Sequence, residues 1–504
     1  MSNPIKKLAN QTAIYGLSSI VARFLNYLLT PFWTKIYSTE QFGIITEMYA
    51  YVSFLVVLLT YGMETAYFKY VNKEGNNGAT IFSTVLISVV STAVFFIAMC
   101  TLFAQDVANW LMYPNHYEYV VWFAIIVGVD AVSSIPLAKL RQENKSAKFA
   151  LVNMLNVAVN IGLNCFFLLY CKSYHGTPDS NFIIDALYNP EIGVGYVFIA
   201  NLIASLVKFL VLVPDSVKVN FTFDKVQYRK MLRYAMPLLF VGLAGIVNET
   251  LDRIMLKRML VGRIGLTETM QQLGIYGANY KLSIVITLFI QAYRYAAEPF
   301  FFSQEKIKGS KLMYGQVMNY FIIVVSTMFL FVTLYLDLFK HFISSSNYWV
   351  GLKVVPILLL ANVCLGVYFN LSIWYKLSSK TGFGALISIF GALITIVLNF
   401  VLIPKFGYVG SAWATLGCYA SMVAVSYVAG QKHYPIPYNL KKAAVFVSVS
   451  LVLYFVSTFV KEWNGNETQY FVNTLLLLLF LGLAYWIEKK GLLQLPVKRS
   501  NHIR

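Results

Sequence analysis

Charge is scarce in this chain. Only 12% of its 504 residues are Asp, Glu, Lys or Arg, and 58% are apolar; soluble domains carry about a quarter charged residues. A water-soluble globule of this make-up would leave wide apolar areas wet, so a soluble enzyme is excluded. Polar stretches long enough to build a domain outside a membrane are missing too. Cysteine is sparse: Cys100, Cys165, Cys171, Cys364 and Cys418 lie in or at the ends of apolar runs without CxxC spacing, which argues against a disulfide framework or a zinc site. The five histidines, His116, His175, His341, His433 and His502, fall in expected loops or the tail. None is left inside a span to ligate a metal or relay protons, so no metal and no cofactor is expected.

What the chain has instead is apolar runs, with a mean hydropathy of +0.64. Crossing the hydrocarbon takes about 20 helical residues, and on that criterion the sequence predicts an all-α polytopic membrane protein with about 14 transmembrane helices. The expected spans are 12–34, 43–63, 79–103, 119–138, 149–170 and 193–213, then 234–251, 274–299, 315–336, 354–375, 383–403 and 407–430, and finally 441–460 and 470–487. Lys6 and Lys7 precede the first, but that run contains Arg23 and no small-residue cleavage site, so it reads as a retained helix.

Forty Lys and Arg against 22 Asp and Glu give a net charge of +18. Such an excess can signal nucleic acid, but these cations are scattered in short loops, so their role is topological and no nucleic-acid partner is expected. Placing both termini in the cytoplasm gathers most of them there. Only Lys35, Lys172, Arg253, Lys257, Arg258, Arg263, Lys340, Lys353, Lys405 and Lys461 then fall in the opposite loops, as the positive-inside rule requires. The longest outer loop, 171–191, has room for a turn or a small surface helix but not for a catalytic domain.

The chain also repeats. Gln41-Phe42-Gly43-Ile44 and Tyr49 can be laid on Gln272-Leu273-Gly274-Ile275 and Tyr280 at a constant offset of 231 residues. Internal symmetry of this kind marks two bundles, which divides the chain into a first lobe (1–217, spans 1 to 6), a second lobe (218–432, spans 7 to 12) and a C-terminal helix pair with its tail (433–504).

The run Pro31-Phe32-Trp33-Thr34-Lys35-Ile36-Tyr37-Ser38-Thr39-Glu40-Gln41-Phe42-Gly43, followed by Tyr61-Gly62-Met63-Glu64-Thr65-Ala66, resembles the polysaccharide or O-antigen flippases (Wzx-type) of the multidrug/oligosaccharidyl-lipid/polysaccharide (MOP) exporter superfamily. Tyr234-Ala235-Met236-Pro237-Leu238, Asp252-Arg253 and Gly274-Ile275-Tyr276 extend the likeness into the second half. The resemblance implies two six-helix lobes around a central cavity plus two C-terminal helices. It also implies transport, without enzymatic chemistry, of an undecaprenyl-diphosphate-linked oligosaccharide to the periplasmic leaflet of the bacterial inner membrane. Polymerase and chain-length proteins of the same pathway would be its partners.

Such cargo needs fixed positive charge and hydrogen-bonding groups to replace water around the diphosphate and sugars. Arg23 sits midway along the first span; Gln11, Tyr15, Ser19 and Tyr27 share its face at spacing four with Asn26 beside it, and Asn26 and Tyr27 are further candidates for lining the substrate cavity. It is read as a diphosphate ligand, the other reading being an ion pair with Glu47 or Asp130. The family's lipid II exporters also use arginine on the first helix, which the resemblance carries to Arg23. Their second-helix arginine has no counterpart, Glu47 being the ionisable residue there, which weighs against lipid II itself as cargo.

Lys281 and Arg294 on span 8 are further cationic candidates, though about 140° apart on an ideal helix, and Arg294 has Glu298 at i+4 as an alternative partner. Asn153, Asn156, Asn160 and Asn164 line one face of span 5 at spacings of 3, 4 and 4, suited either to sugar hydroxyls or to helix packing. A thinner stripe, Ser388, Thr395 and Asn399, occupies the matching helix. Glu64 and Glu249 are candidates for coupling transport to Na⁺ or H⁺. Competing functions are a multidrug/cation antiporter, which would favour an acidic or apolar cavity, and a membrane polysaccharide polymerase, which would need a large external loop.

Overall fold

The computed structural model describes residues 20–73, 77–217, 222–305, 307, 309–464 and 468–490, and every regular element among them is helical. Thirteen of these helices are long and apolar enough to cross a membrane, and they correspond one for one to the second through fourteenth expected spans. Of the first span, residues 12–19 lie outside the described residues, Gln11, Tyr15 and Ser19 with them. Its remainder forms α1 (20–27) and α2 (Leu29–Ile36).

The helices that follow are α3 (Thr39–Thr60), α4 (Met63–Val71), α5 (Gly78–Leu102), α6 (Ala104–Trp110), α7 (Tyr117–Gln142), α8 (Ser146–Cys165) and α9 (Gly195–Val217). Next come α10 (Lys225–Ile264), α11 (Leu266–Gln304), α12 (Ser310–Leu334), α13 (Val355–Leu371) and α14 (Ile373–Leu377). The last four are α15 (Gly382–Phe406), α16 (Tyr408–His433), α17 (Leu440–Asn464) and α18 (Gln469–Lys489). The 171–191 loop, with room for a turn or a small helix, contains the short helix Phe182–Leu187.

Local chemistry sets the boundaries. Ser38 and Gln41 form a reciprocal capping box that starts α3: the Ser38 hydroxyl accepts from the Gln41 N–H and the Gln41 side chain accepts from the Ser38 N–H, both at 3.2 Å. α3 ends where Tyr61 and Gly62 adopt left-handed backbone. A Cβ at Gly62 would lie 2.9 Å from the Ala235 carbonyl oxygen, so glycine serves both the turn and the close approach of α10. α10 starts at Asp224, whose carboxylate accepts from the N–H groups of Val226 and Gln227.

α10 and α11 run for 40 and 39 residues. At about 1.5 Å per residue each is roughly twice as long as the hydrocarbon is thick. Sequence confined the corresponding spans to 234–251 and 274–299, because charged residues flank them. Arg253 and Lys257, expected in an outer loop, are instead buried residues of α10. Arg253 lies against its neighbour Asp252, and the Lys257 charge is offset by Glu47, 210 positions away, which hydropathy does not register.

The chain packs as two compact units, Met1–Ala278 with Thr395–Ser411, and Asn279–Ile394 with Ala412–Arg504. Packing thus groups α10 with the first unit, whereas the repeat assigns it to a second lobe. The first unit's main core joins α3, α4, α5, α7 and α10 through Leu59, Met63, Tyr67, Phe82, Ile135 and Met231. The second unit has one core around Trp374, Phe301 and Tyr314 and another around Tyr368, Ile387 and Tyr419.

Candidate functional site

Within the first unit, the two glycines aligned by the repeat face each other. A Cβ on Gly43 would stand 2.1 Å from the Met270 carbonyl oxygen, and one on Gly274 would stand 1.8 Å from the Thr39 carbonyl oxygen. Thr39 and Met270 are themselves related by the 231-residue offset, so the α3–α11 crossing is a local two-fold contact of backbone on backbone. One turn on, a Cβ at Gly277 would meet the side chain of Thr46, its own repeat counterpart, at 2.3 Å.

Beside this crossing the charges neutralise one another. The Lys257 ammonium donates to Glu47 Oε2 at 2.7 Å and to the Leu111 carbonyl at 2.6 Å, with both charged side chains wholly buried. The Tyr113 hydroxyl also donates to Glu47 Oε2. Burial and the adjacent Glu47 carboxylate push the Tyr113 phenol well above its ordinary range, which keeps it a donor. Asp252 accepts from the Tyr276 hydroxyl at 2.5 Å and from the Arg253 N–H at 2.9 Å, and the Arg253 guanidinium lies 3.3 Å away. The Glu47 and Asp130 carboxylates, named above as alternative partners for Arg23, are engaged elsewhere: Asp130 pairs with Lys208 at 2.7 Å.

Arg23 stands apart from these pairs. It is exposed on α1, and among the described residues no carboxylate pairs with it. Asn26, one turn further, is exposed as well, and Tyr27 is half-buried. Behind Asn26 runs a chain of hydrogen bonds. Trp33 Nε1 donates to Asn164 Oδ1 at 2.9 Å; Asn164 Nδ2 donates to the Asn160 carbonyl at 2.8 Å and to Asn160 Oδ1 at 3.1 Å; Asn160 Nδ2 donates to Asn26 Oδ1 at 3.2 Å. Two of the four span-5 amides are thus buried and joined to α1 and α2. Asn153 bonds back to the Phe149 carbonyl at 3.0 Å, and the Asn156 amide nitrogen is buried without a hydrogen-bond partner among the described residues. The second stripe repeats part of this pattern: Asn399 Nδ2 donates to the Thr395 carbonyl at 2.8 Å, and the Thr395 hydroxyl donates to Asn248 Oδ1 at 3.2 Å.

In the second unit Lys281 is half-buried on α11. Arg294 lies 3.5 Å from Glu298 and over the Phe369 ring at 4.2 Å, and Lys376 donates to the same Glu298 oxygen at 2.6 Å. Of the carboxylates considered for ion coupling, Glu64 is half-buried and paired with Arg141, while Glu249 is exposed.

Sequence reasoning overlooked Lys257, Tyr113 and the support given by Trp33. The available signal was Glu47 itself, since a carboxylate inside an apolar span needs a cation or a donor.

The sequence profile of the family described as polysaccharide biosynthesis protein matches residues 8–305. No curated protein matches the chain. A solved structure of the lipid II flippase MurJ in an inward closed conformation is 14% identical, covers 94% of this chain and 99% of its own, and superposes with a TM-score of 0.68. An inward-facing multidrug resistance MATE family transporter of the MOP superfamily is 11% identical over 84% of this chain and 94% of its own, with a TM-score of 0.64. An outward-facing structure of such a transporter is 12% identical over 85% and 94%, with a TM-score of 0.52. These likenesses establish the fold that the lipid II flippase MurJ and the multidrug resistance MATE family transporters share.

Proposed function

This chain belongs to the polysaccharide biosynthesis protein family, and from that membership we propose that it is a flippase. In this reading it carries undecaprenyl-diphosphate-linked oligosaccharide repeat units from the cytoplasmic to the periplasmic leaflet of the inner membrane. The observation that carries the proposal is the exposed turn of Arg23 and Asn26 on a helix of a multi-pass membrane protein. A cation at that depth costs about 3 kcal/mol against lipid, so such a turn belongs beside water or a bound anion. A diphosphate supplies that anion, and guanidinium binds it through paired charge-assisted hydrogen bonds.

Transport would proceed by alternating access, a mode supported by the inward- and outward-facing solved relatives of the same fold. Both termini would be cytoplasmic, as the distribution of cations favours, and a polymerase with its chain-length partner would take the product. Coupling to Na⁺ or H⁺ is part of the proposal. Glu249, being exposed, is the readier carboxylate, because Glu64 is held by Arg141. The fold fits a multidrug antiporter equally well, but an exposed arginine disfavours cationic cargo.

Deleting the gene should cause lipid-linked repeat units to accumulate facing the cytoplasm. Arg23→Ala, inserted at normal levels, should fail to clear them. Unchanged lipid pools after deletion would refute the reading.

A further inference from the structure

We propose that Asn26 is a second ligand for the diphosphate, and that Trp33, Asn164 and Asn160 act as positioning residues that hold its amide in one sense. The inference rests on the flippase reading and sharpens it. An asparagine side chain can present either its carbonyl or its NH₂, and which one it presents depends on its neighbours. Here the choice is forced from the far end. The indole N–H of Trp33 can only donate, so Asn164 must turn its Oδ1 towards it. That leaves Asn164 Nδ2 to donate to two oxygens of Asn160, which fixes Asn160 Oδ1 as an acceptor. Were Asn160 flipped, two NH₂ groups would oppose each other. Asn160 therefore directs its own Nδ2 at Asn26, whose Oδ1 accepts. Each step follows from the one before, and the last leaves the Asn26 NH₂ as its outward group, on an exposed position one turn from Arg23.

The polar groups that this turn directs outward are consequently donors, guanidinium N–H groups and an amide NH₂, set among the exposed Phe24 and Leu28. A set of donors fits an acceptor-only anion and discriminates against sugar hydroxyls, which need acceptors as well. The buried amides of α8 are thus engaged behind the site, and they set its polarity without touching cargo.

The test uses the full chain in nanodiscs, with undecaprenyl diphosphate and neutral undecaprenol as probes and thermal stability as a control. Asn26→Asp preserves size but replaces the NH₂ with an oxygen, and should weaken diphosphate binding about 30-fold or more while leaving undecaprenol unaffected. Asn26→Ala should cost about 10-fold. Trp33→Phe and Asn160→Leu should each lower the diphosphate-to-undecaprenol affinity ratio about threefold, because Asn26 is then free to turn. If Asn26→Asp binds diphosphate as wild type does while Arg23→Ala loses it, the inference falls and the flippase reading stands. If the Trp33 and Asn160 variants lose stability but keep the ratio, the chain of amides is packing alone and the positioning role is refuted. If the wild-type protein does not prefer diphosphate to undecaprenol, both proposals fall.

Discussion

Two amide ladders in the first unit share a motif and end differently. On α8, Asn164 donates to the Asn160 carbonyl, and Asn160 reaches across to Asn26 of α1. On α15, Asn399 donates to the Thr395 carbonyl, and Thr395 reaches across to Asn248 of α10. The first ladder ends on an exposed amide one turn from Arg23; the second ends on a buried amide one turn from Asp252, which Tyr276 and Arg253 occupy. The same hydrogen-bonding device therefore serves packing where the neighbouring charge is neutralised. In the proposed site it would serve presentation, beside the exposed Arg23. Polarity inside a span does not by itself mark a binding site; the proposal adds exposure next to a cation that no carboxylate pairs with among the described residues.

The comparison can be broken most forcefully at the neutralised end. Lys257→Met leaves Glu47 buried without its cation and should destabilise the protein by about 3–5 kcal/mol, measured by thermal denaturation, while Glu47→Leu combined with Lys257→Met should recover most of that loss. A double variant as unstable as the single one would mean that the pair is more than a structural neutralisation. At the exposed end the signs should reverse. Arg23→Ala should leave stability unchanged but weaken undecaprenyl diphosphate binding about 10- to 100-fold, and Arg23→Lys should recover only part because a point charge replaces a fork.

Smaller effects sharpen the contrast. Asn248→Leu removes the acceptor of the second ladder and should cost about 1–2 kcal/mol of stability with diphosphate binding unaltered. Equal binding losses from Asn248→Leu and Asn26→Ala would erase the distinction between the ladders. The smallest effect is expected from Arg294→Gln, below about 1 kcal/mol in stability, since its ion pair with Glu298 is partly exposed and Lys376 remains to hold that carboxylate.

Much of the architecture is legible in the sequence because apolar length is a local property. The second through fourteenth spans and the spacing of the amides on α8 follow from neighbouring residues. What stays hidden depends on partners far along the chain. Lys257 looks like a loop cation until Glu47, 210 positions away, is seen to neutralise it. The engagement of Asn164 depends on Trp33, 131 positions away, so spacing alone could identify a polar face but not which amides on it remain available. The repeat lies between these cases: the 231-residue offset is visible in sequence, whereas the reason Gly43 and Gly274 are glycines emerges only when their backbones are found in contact.

The account rests on Arg23 facing water and an anion, and this can be measured at that position. With the five native cysteines replaced, a cysteine introduced by Arg23→Cys should react with a membrane-impermeant thiol reagent, and undecaprenyl diphosphate should slow the reaction. A cysteine that stays unreactive in the intact membrane, or whose reaction rate undecaprenyl diphosphate leaves unchanged, would contradict the account.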